Sequence, residues 1–116
     1  MEIKESAIQR TILDGLLWKG YMAWRNNVAP IPIRRGREIV GMRRVDPHIV
    51  GMADILCVMK PSGRLLGIEV KTAKGKVTDK QKDWGERLEA SGGKYLVARS
   101  WDEVENVLSM LQVENL

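Results

Sequence analysis

Asp54, Glu69 and Lys71 are the side chains in this sequence whose types and spacing could do chemistry together. They stand in Gly51-Met52-Ala53-Asp54-Ile55-Leu56 and, beyond a turn, in Ile68-Glu69-Val70-Lys71. Successive side chains of a strand point to opposite faces, so Glu69 and Lys71 project together. Antiparallel pairing of the two segments could set Asp54 beside them, giving two carboxylates and one ammonium at one sheet edge. Such a group suits phosphodiester hydrolysis. Carboxylate oxygens hold a hard cation such as magnesium. The cation polarises the phosphate and lowers the pKa of a bound water. A neighbouring ammonium positions that water or steadies developing negative charge. The plainer reading of the same spacing is an Asp at a strand start and a Glu-x-Lys pair on a wet face.

Two further residues bear on the choice. On a helix advancing about 100° per residue, Glu5, Ile12 and Leu16 fall within roughly 20° of one another. Glu5 therefore shares the apolar stripe, where an unpaired carboxylate is expensive and calls for a partner, a metal or a cleft. Alternatively, a first-turn acid can reach solvent and complement the helix dipole. Gln81 shares a stripe with Trp84 and Leu88, and its amide could face the sheet to orient a water or phosphate. Helix capping already accounts for a Gln at that position and is the stronger reading.

The elements that must position these residues can be read from pattern. Ile8, Ile12, Leu13, Leu16 and Leu17 recur at helical spacing and predict a helix over 4–18, stopped at Gly20. Tyr21 to Arg25 reads as a strand, and Asn26-Asn27, Pro30, Pro32 and Gly36 predict a loop over 26–36. Glu38 to Arg44 is a short strand and Asp46-Pro47 a turn, with His48 a loop residue. Ala53 to Met59 and Leu65 to Thr72 form a hairpin about the turn Lys60-Pro61-Ser62-Gly63. Thr78-Asp79-Lys80-Gln81 is a capping box opening a helix that ends near Gly92-Gly93. Lys94 to Arg99 is a strand, and Ser100-Trp101-Asp102-Glu103 caps a last helix that buries Trp101, Val104, Val107, Leu108 and Leu111. The expected fold is α/β, a central mixed sheet flanked by helices, with an αβββαβ core plus a C-terminal helix.

The totals agree with one soluble domain. The chain has 116 residues, 44% apolar and 29% charged, within the ordinary range for a single globular core. No apolar run approaches the roughly 20 residues that span a bilayer, and Met1-Glu2-Ile3-Lys4-Glu5 lacks the features of a signal peptide. A cytoplasmic protein is expected. Cys57 is the one cysteine and His48 the one histidine, which excludes an internal disulfide and structural zinc and disfavours His-dependent triads. Four tryptophans (Trp18, Trp24, Trp84, Trp101) and the methionines Met22, Met42, Met52, Met59 and Met110 sit in apolar patterns and read as packing residues.

The pattern Asp54, fourteen residues, then Glu69-Val70-Lys71 resembles the PD-(D/E)XK nuclease signature, with Ala53 where the signature has Pro. A helix with an acid ahead of the core, Gln81 on the helix after it, and the stretches Thr78 to Trp84 and Tyr95 to Arg99 make the arrangement similar to the small stand-alone members of the virus-type replication-repair nuclease (VRR-NUC) family. The resemblance spans about residues 3–110. It implies a restriction-endonuclease-like fold and dependence on Mg²⁺ or Mn²⁺. It implies Asp54, Glu69 and the Val70 carbonyl as metal ligands, Lys71 as the catalytic lysine, Glu5 completing the acidic site and Gln81 assisting. It also implies a homodimer that cuts four-way (Holliday) DNA junctions in repair, whereas family members inside larger proteins act on flaps. With no accessory domain in view, the chain looks more like the first kind. A prokaryotic or phage-infected cell is the setting this suggests.

A net charge of +4 leans toward an anionic partner. Arg34, Arg35, Arg37, Arg43 and Arg44 fall within eleven residues, and Lys74, Lys76, Lys80 and Lys82 follow the Glu-x-Lys strand. Arginine forks suit phosphate oxygens without reading sequence, so backbone recognition with strong salt dependence is expected. Such runs are otherwise solvated loops. A two-fold-symmetric junction suits a C2 dimer, with the last helix and Ile31-Pro32-Ile33 as candidate surfaces. Two rival readings remain: a non-catalytic or degenerate DNA-binding module on this fold, and a flap or restriction-type endonuclease.

Overall fold

The computed structural model describes residues 3–26, 31–43 and 49–114. Arg44, the Asp46-Pro47 turn, His48, Asn27 and Pro30 lie outside them. The elements run α1 (Glu5–Trp18), β1 (Met22–Arg25), β2 (Ile31–Arg35), β3 (Glu38–Arg43), β4 (Ile55–Val58), β5 (Leu65–Val70), α2 (Asp79–Ala90), β6 (Lys94–Ala98) and α3 (Trp101–Glu114).

Four strands make the main sheet in the order β1-β4-β5-β6. β1 and β4 pair antiparallel, as do β4 and β5, while β5 and β6 are parallel. A parallel partner needs a crossover, and α2 supplies it. The sheet is therefore mixed and flanked by helices, as expected.

Alternation along β4 and β5 sorts side chains onto two faces. Ile55, Cys57, Leu66, Ile68 and Val70 join Ile12, Leu16, Val104, Leu108 and Leu111 in the larger core under α1 and α3. Leu56 and Leu65 turn the other way, to Trp84 and Leu88 of α2. With both faces covered, β5 is buried from Leu66 through Val70. Gly67 lets α2 sit close, because a Cβ there would meet the Trp84 ring at 2.8 Å. Gly51, at φ 85°, likewise lets the turn before Asp54 press onto α2, where a Cβ would collide with the Lys80 carbonyl.

Several expectations need correcting. The stretch read as a loop over 26–36 contains β2, which pairs with β3 as a separate two-stranded sheet with a bulge between Ile33 and Arg34. Pro32 is tolerated there because every residue of β2 is exposed and no inner ladder is broken. Leu17 and Trp18 are exposed, Trp18 by 92%, on the last turn of α1, whose covered side is taken by Gly15 against Trp101 and by the buried Leu16. Trp24 is also exposed, on the edge strand β1. Met22, Met42 and Met110 are exposed as well, leaving Met59 buried and Met52 half-buried. Among the described residues no helix is long and apolar enough to cross a membrane.

Candidate active site

β4 and β5 are in register at Ile55 and Ile68, so one step further Asp54 stands opposite Glu69. Directly opposed residues of antiparallel strands share a face, which puts the two acids on the α2 side. Asp54 is anchored there: its Oδ2 accepts the Val70 backbone N–H at 2.8 Å. The strand ladder thus continues through a carboxylate at the point where the acids meet.

Glu69 is the one buried charged side chain among the described residues, 1% exposed. Its Oε1 accepts from Gln81 Nε2 at 2.6 Å and lies 3.8 Å from Lys71 Nζ. Its Oε2 is buried with no donor. Burial above all, then the neighbouring Asp54 charge and a side-chain hydrogen bond with Asp54, push the Glu69 carboxyl up to about 8, against the opposing pull of Lys71. Glu5, half-buried on the first turn of α1, adds the smallest upward push. Lys71 is largely covered, its side chain 12% exposed.

Gln81 caps α2 and also turns its amide to the sheet, where it meets Glu69 rather than a water or phosphate. Its backbone N–H donates to Thr78 Oγ1 at 3.2 Å and its Oε1 accepts the Thr78 N–H at 2.9 Å, completing the capping box. That leaves Nε2 free to reach Glu69. A capping amide has two ends, and here the second end serves the acid.

Asp54, Glu69, Lys71 and Gln81 are therefore brought together, with Val70 tied to Asp54 and Glu5 within electrostatic reach. Among the described residues, however, no three Asp, Glu, His or Cys side chains stand together as a ready metal cage. Lys74, Lys76 and Lys80 are exposed along the loop and first helical turn that follow Lys71. Arg34, Arg35, Arg37 and Arg43 are exposed on the separate β2–β3 hairpin, away from the four-stranded sheet's ladder. Cys57 is buried and its thiol is pushed up to about 11 by desolvation, which removes it as a nucleophile.

Two residues near the site were not singled out from sequence. Arg99 donates from Nη1 to the carbonyls of Thr72 at 2.6 Å and Gly75 at 3.0 Å, pinning the loop that leaves Lys71. Tyr95 is half-buried on the α2 side against Trp84, with its hydroxyl oxygen buried. Its sequence signal was Gly85: a glycine inside a helix marks a close neighbour.

A mixed sheet with helices on both faces, carrying an opposed acid pair and a lysine at the ends of adjacent strands, defines the restriction-endonuclease-like class. Within it, the family model for the VRR-NUC domain matches residues 3–102 of the 116-residue chain, and the chain belongs to that family. No curated protein and no solved structure gave a match. Membership makes the protein a nuclease of PD-(D/E)XK type, a hydrolase with DNA as its substrate. Nucleases of this type generally use divalent metals. The residues present fit such an ion. The donors at hand are hard oxygens. Glu69 keeps one buried oxygen without a donor, beside a second carboxylate that raises its proton affinity. A cation between the two acids would relieve both. Mg²⁺ is commonly held by one or two carboxylates plus substrate phosphate, so a third side-chain ligand is not required.

Proposed function

We propose that the protein is a Mg²⁺- or Mn²⁺-dependent, structure-selective endodeoxyribonuclease that acts as a homodimer on four-way DNA junctions. The observation that carries the chemistry is the convergence of Asp54, Glu69, Lys71 and Gln81 at the ends of β4 and β5 and the start of α2. In this reading Asp54, Glu69 and the Val70 carbonyl would hold the cation, with Glu5 adding negative potential. The bound cation supplies Lewis-acid polarisation of the phosphate and a nucleophile from water at neutral pH. Gln81 and the Val70 N–H fix the two carboxylates, so that the acids need not reorganise during reaction. Lys71, held beside Glu69, stabilises the charge that builds on the phosphoryl oxygens. Water adds to phosphorus, one ester oxygen leaves, and the products are a phosphomonoester and a free hydroxyl. Lys74, Lys76 and Lys80, which follow Lys71 along the chain, and the arginines of the β2–β3 hairpin bind backbone phosphates without reading bases.

The dimer and the junction rest on symmetry and on the family's stand-alone members: two matched cuts need two matched sites, and a C2 pair supplies them. The test is incubation of labelled four-way junction, flap, duplex and single-stranded DNA with Mg²⁺, Mn²⁺ or chelator, alongside Asp54→Asn and Lys71→Ala. Junction cleavage should need metal and fall by at least about 100-fold in both variants, consistent with loss of an electrostatic group worth about 2.7–4 kcal/mol. Cutting that persists in chelator, or full activity without Lys71, rejects the mechanism. Cleavage of flaps alone rejects the junction, and a monomer by light scattering at assay concentration rejects paired cutting.

A further inference from the structure

That mechanism leaves one buried polar group without work, the hydroxyl of Tyr95. Among the described residues, the buried side-chain polar atoms that lack a hydrogen-bond partner are Glu69 Oε2 and Tyr95 Oη. They lie in one layer. Tyr95 pairs with Gly67 across the parallel β5–β6 ladder. It therefore leaves the sheet on the face of Glu69, two residues short of it. Its ring runs against Gly85, where a Cβ would come 2.6 Å from Tyr95 Cγ, and stands edge-on to Trp84 with centroids 6.1 Å apart. Gly85 is one helical turn beyond Gln81, whose amide holds Glu69. The phenol is thus wedged between the sheet and α2, and the field of Glu69 and Asp54 reaches it, adding to burial in raising its pKa.

A protonated phenol without an acceptor and, once a cation holds Glu69 ionised, a carboxylate oxygen without a donor make complementary partners. We propose that Tyr95 is a positioning residue whose hydroxyl donates to Glu69 Oε2 through one water, so that Gln81 and Tyr95 grip the carboxylate from its two ends. This rests on the reading of Asp54 and Glu69 as the metal-holding pair. A carboxylate oxygen has two lone-pair directions, so Oε2 can accept from that water and still face a cation. Gly85 then has a functional reason: a side chain there would evict the ring that carries the hydroxyl.

The test is calorimetric titration of MnCl₂ into wild-type protein, Tyr95→Phe and Asp54→Asn without DNA, with melting curves in chelator as a check on folding. Phenylalanine keeps the ring against Trp84 and Gly85 and removes only the hydroxyl. Loss of a hydrogen-bond partner to a ligand typically weakens metal binding about 10- to 100-fold. Tyr95→Phe should therefore bind Mn²⁺ about 10-fold more weakly, and the metal concentration for half-maximal junction cleavage should rise by a similar factor. Wild-type Mn²⁺ affinity in Tyr95→Phe, with or without a change in melting temperature, overturns the positioning role and leaves the metal site standing. If wild-type protein binds no Mn²⁺, or Asp54→Asn binds as well as wild type, the metal-site reading itself fails and takes this role with it.

Discussion

Glu69 concentrates the chemical tension of the site. Its carboxyl is buried, faces Asp54 and lies at about 8 against an ordinary value of 4.5. Below 4.5 it is protonated folded or unfolded and carries no penalty. Between 4.5 and 8 the unfolded chain gives up this proton while the folded chain keeps it, so metal-free stability falls as pH rises. With about 1.4 kcal/mol for each tenfold change in proton affinity, the loss across that window is on the order of a few kcal/mol. Glu69→Gln removes the charge, so in chelator its melting temperature should stay flat where the wild type's declines, and above pH 8 it should be the more stable protein. A parallel decline in both would show that another group sets the pH dependence. The same variant should not cleave DNA. Legibility at this scale was uneven. Alternation along two strands was enough to group Asp54, Glu69 and Lys71, because strand geometry fixes side-chain direction. Gln81 was legible as a cap, but its reach to Glu69 depended on how closely α2 approaches the sheet, which no local pattern encodes. Tyr95 was harder still, since its hydroxyl nears the acids only through the parallel pairing of β5 with β6.

The closeness of α2 is set at the scale of elements by glycines. Gly67 gives Trp84 its seat, with the Trp84 ring 2.8 Å and Leu88 3.1 Å from where a Cβ would be. A valine there must push α2 outward, and overpacking of this kind costs about 1–3 kcal/mol. Because Gln81 rides on α2, Gly67→Val should lose cleavage out of proportion to its loss of stability, with Glu69 deprived of its amide donor. Urea denaturation compared with cleavage at a temperature where the variant is fully folded measures the two effects separately. Retained activity in the folded variant would mean that the position of α2 is not critical. The helices and the main-sheet strands were readable because apolar periodicity and capping residues agree. At α3 the box differs in detail: Ser100 Oγ accepts the Glu103 N–H at 3.3 Å, but the Glu103 carboxylate takes the Arg99 N–H at 2.9 Å, one residue earlier than a reciprocal box requires. β2 was missed for a physical reason. Pro30, Pro32 and Gly36 are loop residues by every local rule, and the pairing that makes Ile31 to Arg35 a strand comes from β3 alone.

For the molecule as a whole, that hairpin matters most. A compact chain of this length has a radius of gyration of about 13 Å, whereas this one has 16.0 Å and a longest dimension of 55 Å. The β2–β3 pair forms its own sheet and exposes every residue except Gly41, which is half-covered. Its tip is Arg34-Arg35-Gly36-Arg37, with Gly36 at φ 65° turning the chain. Two-stranded hairpins are marginal alone, and this one spends no charge on the core, so its arginines are available to phosphates. Each phosphate neutralised on a duplex contributes about 0.9 to the slope of log affinity against log salt. Replacing Arg34, Arg35 and Arg37 together with alanine should flatten that slope for junction DNA by about 2–3, while Mn²⁺ binding at Asp54 and Glu69, which does not involve the hairpin, should keep its wild-type affinity. Binding measured by fluorescence anisotropy across a salt series gives the slope directly. An unchanged slope would assign DNA contact to the body lysines instead, and a fall in Mn²⁺ affinity would mean that the hairpin and the acid pair are coupled, which the separation of the two sheets does not predict.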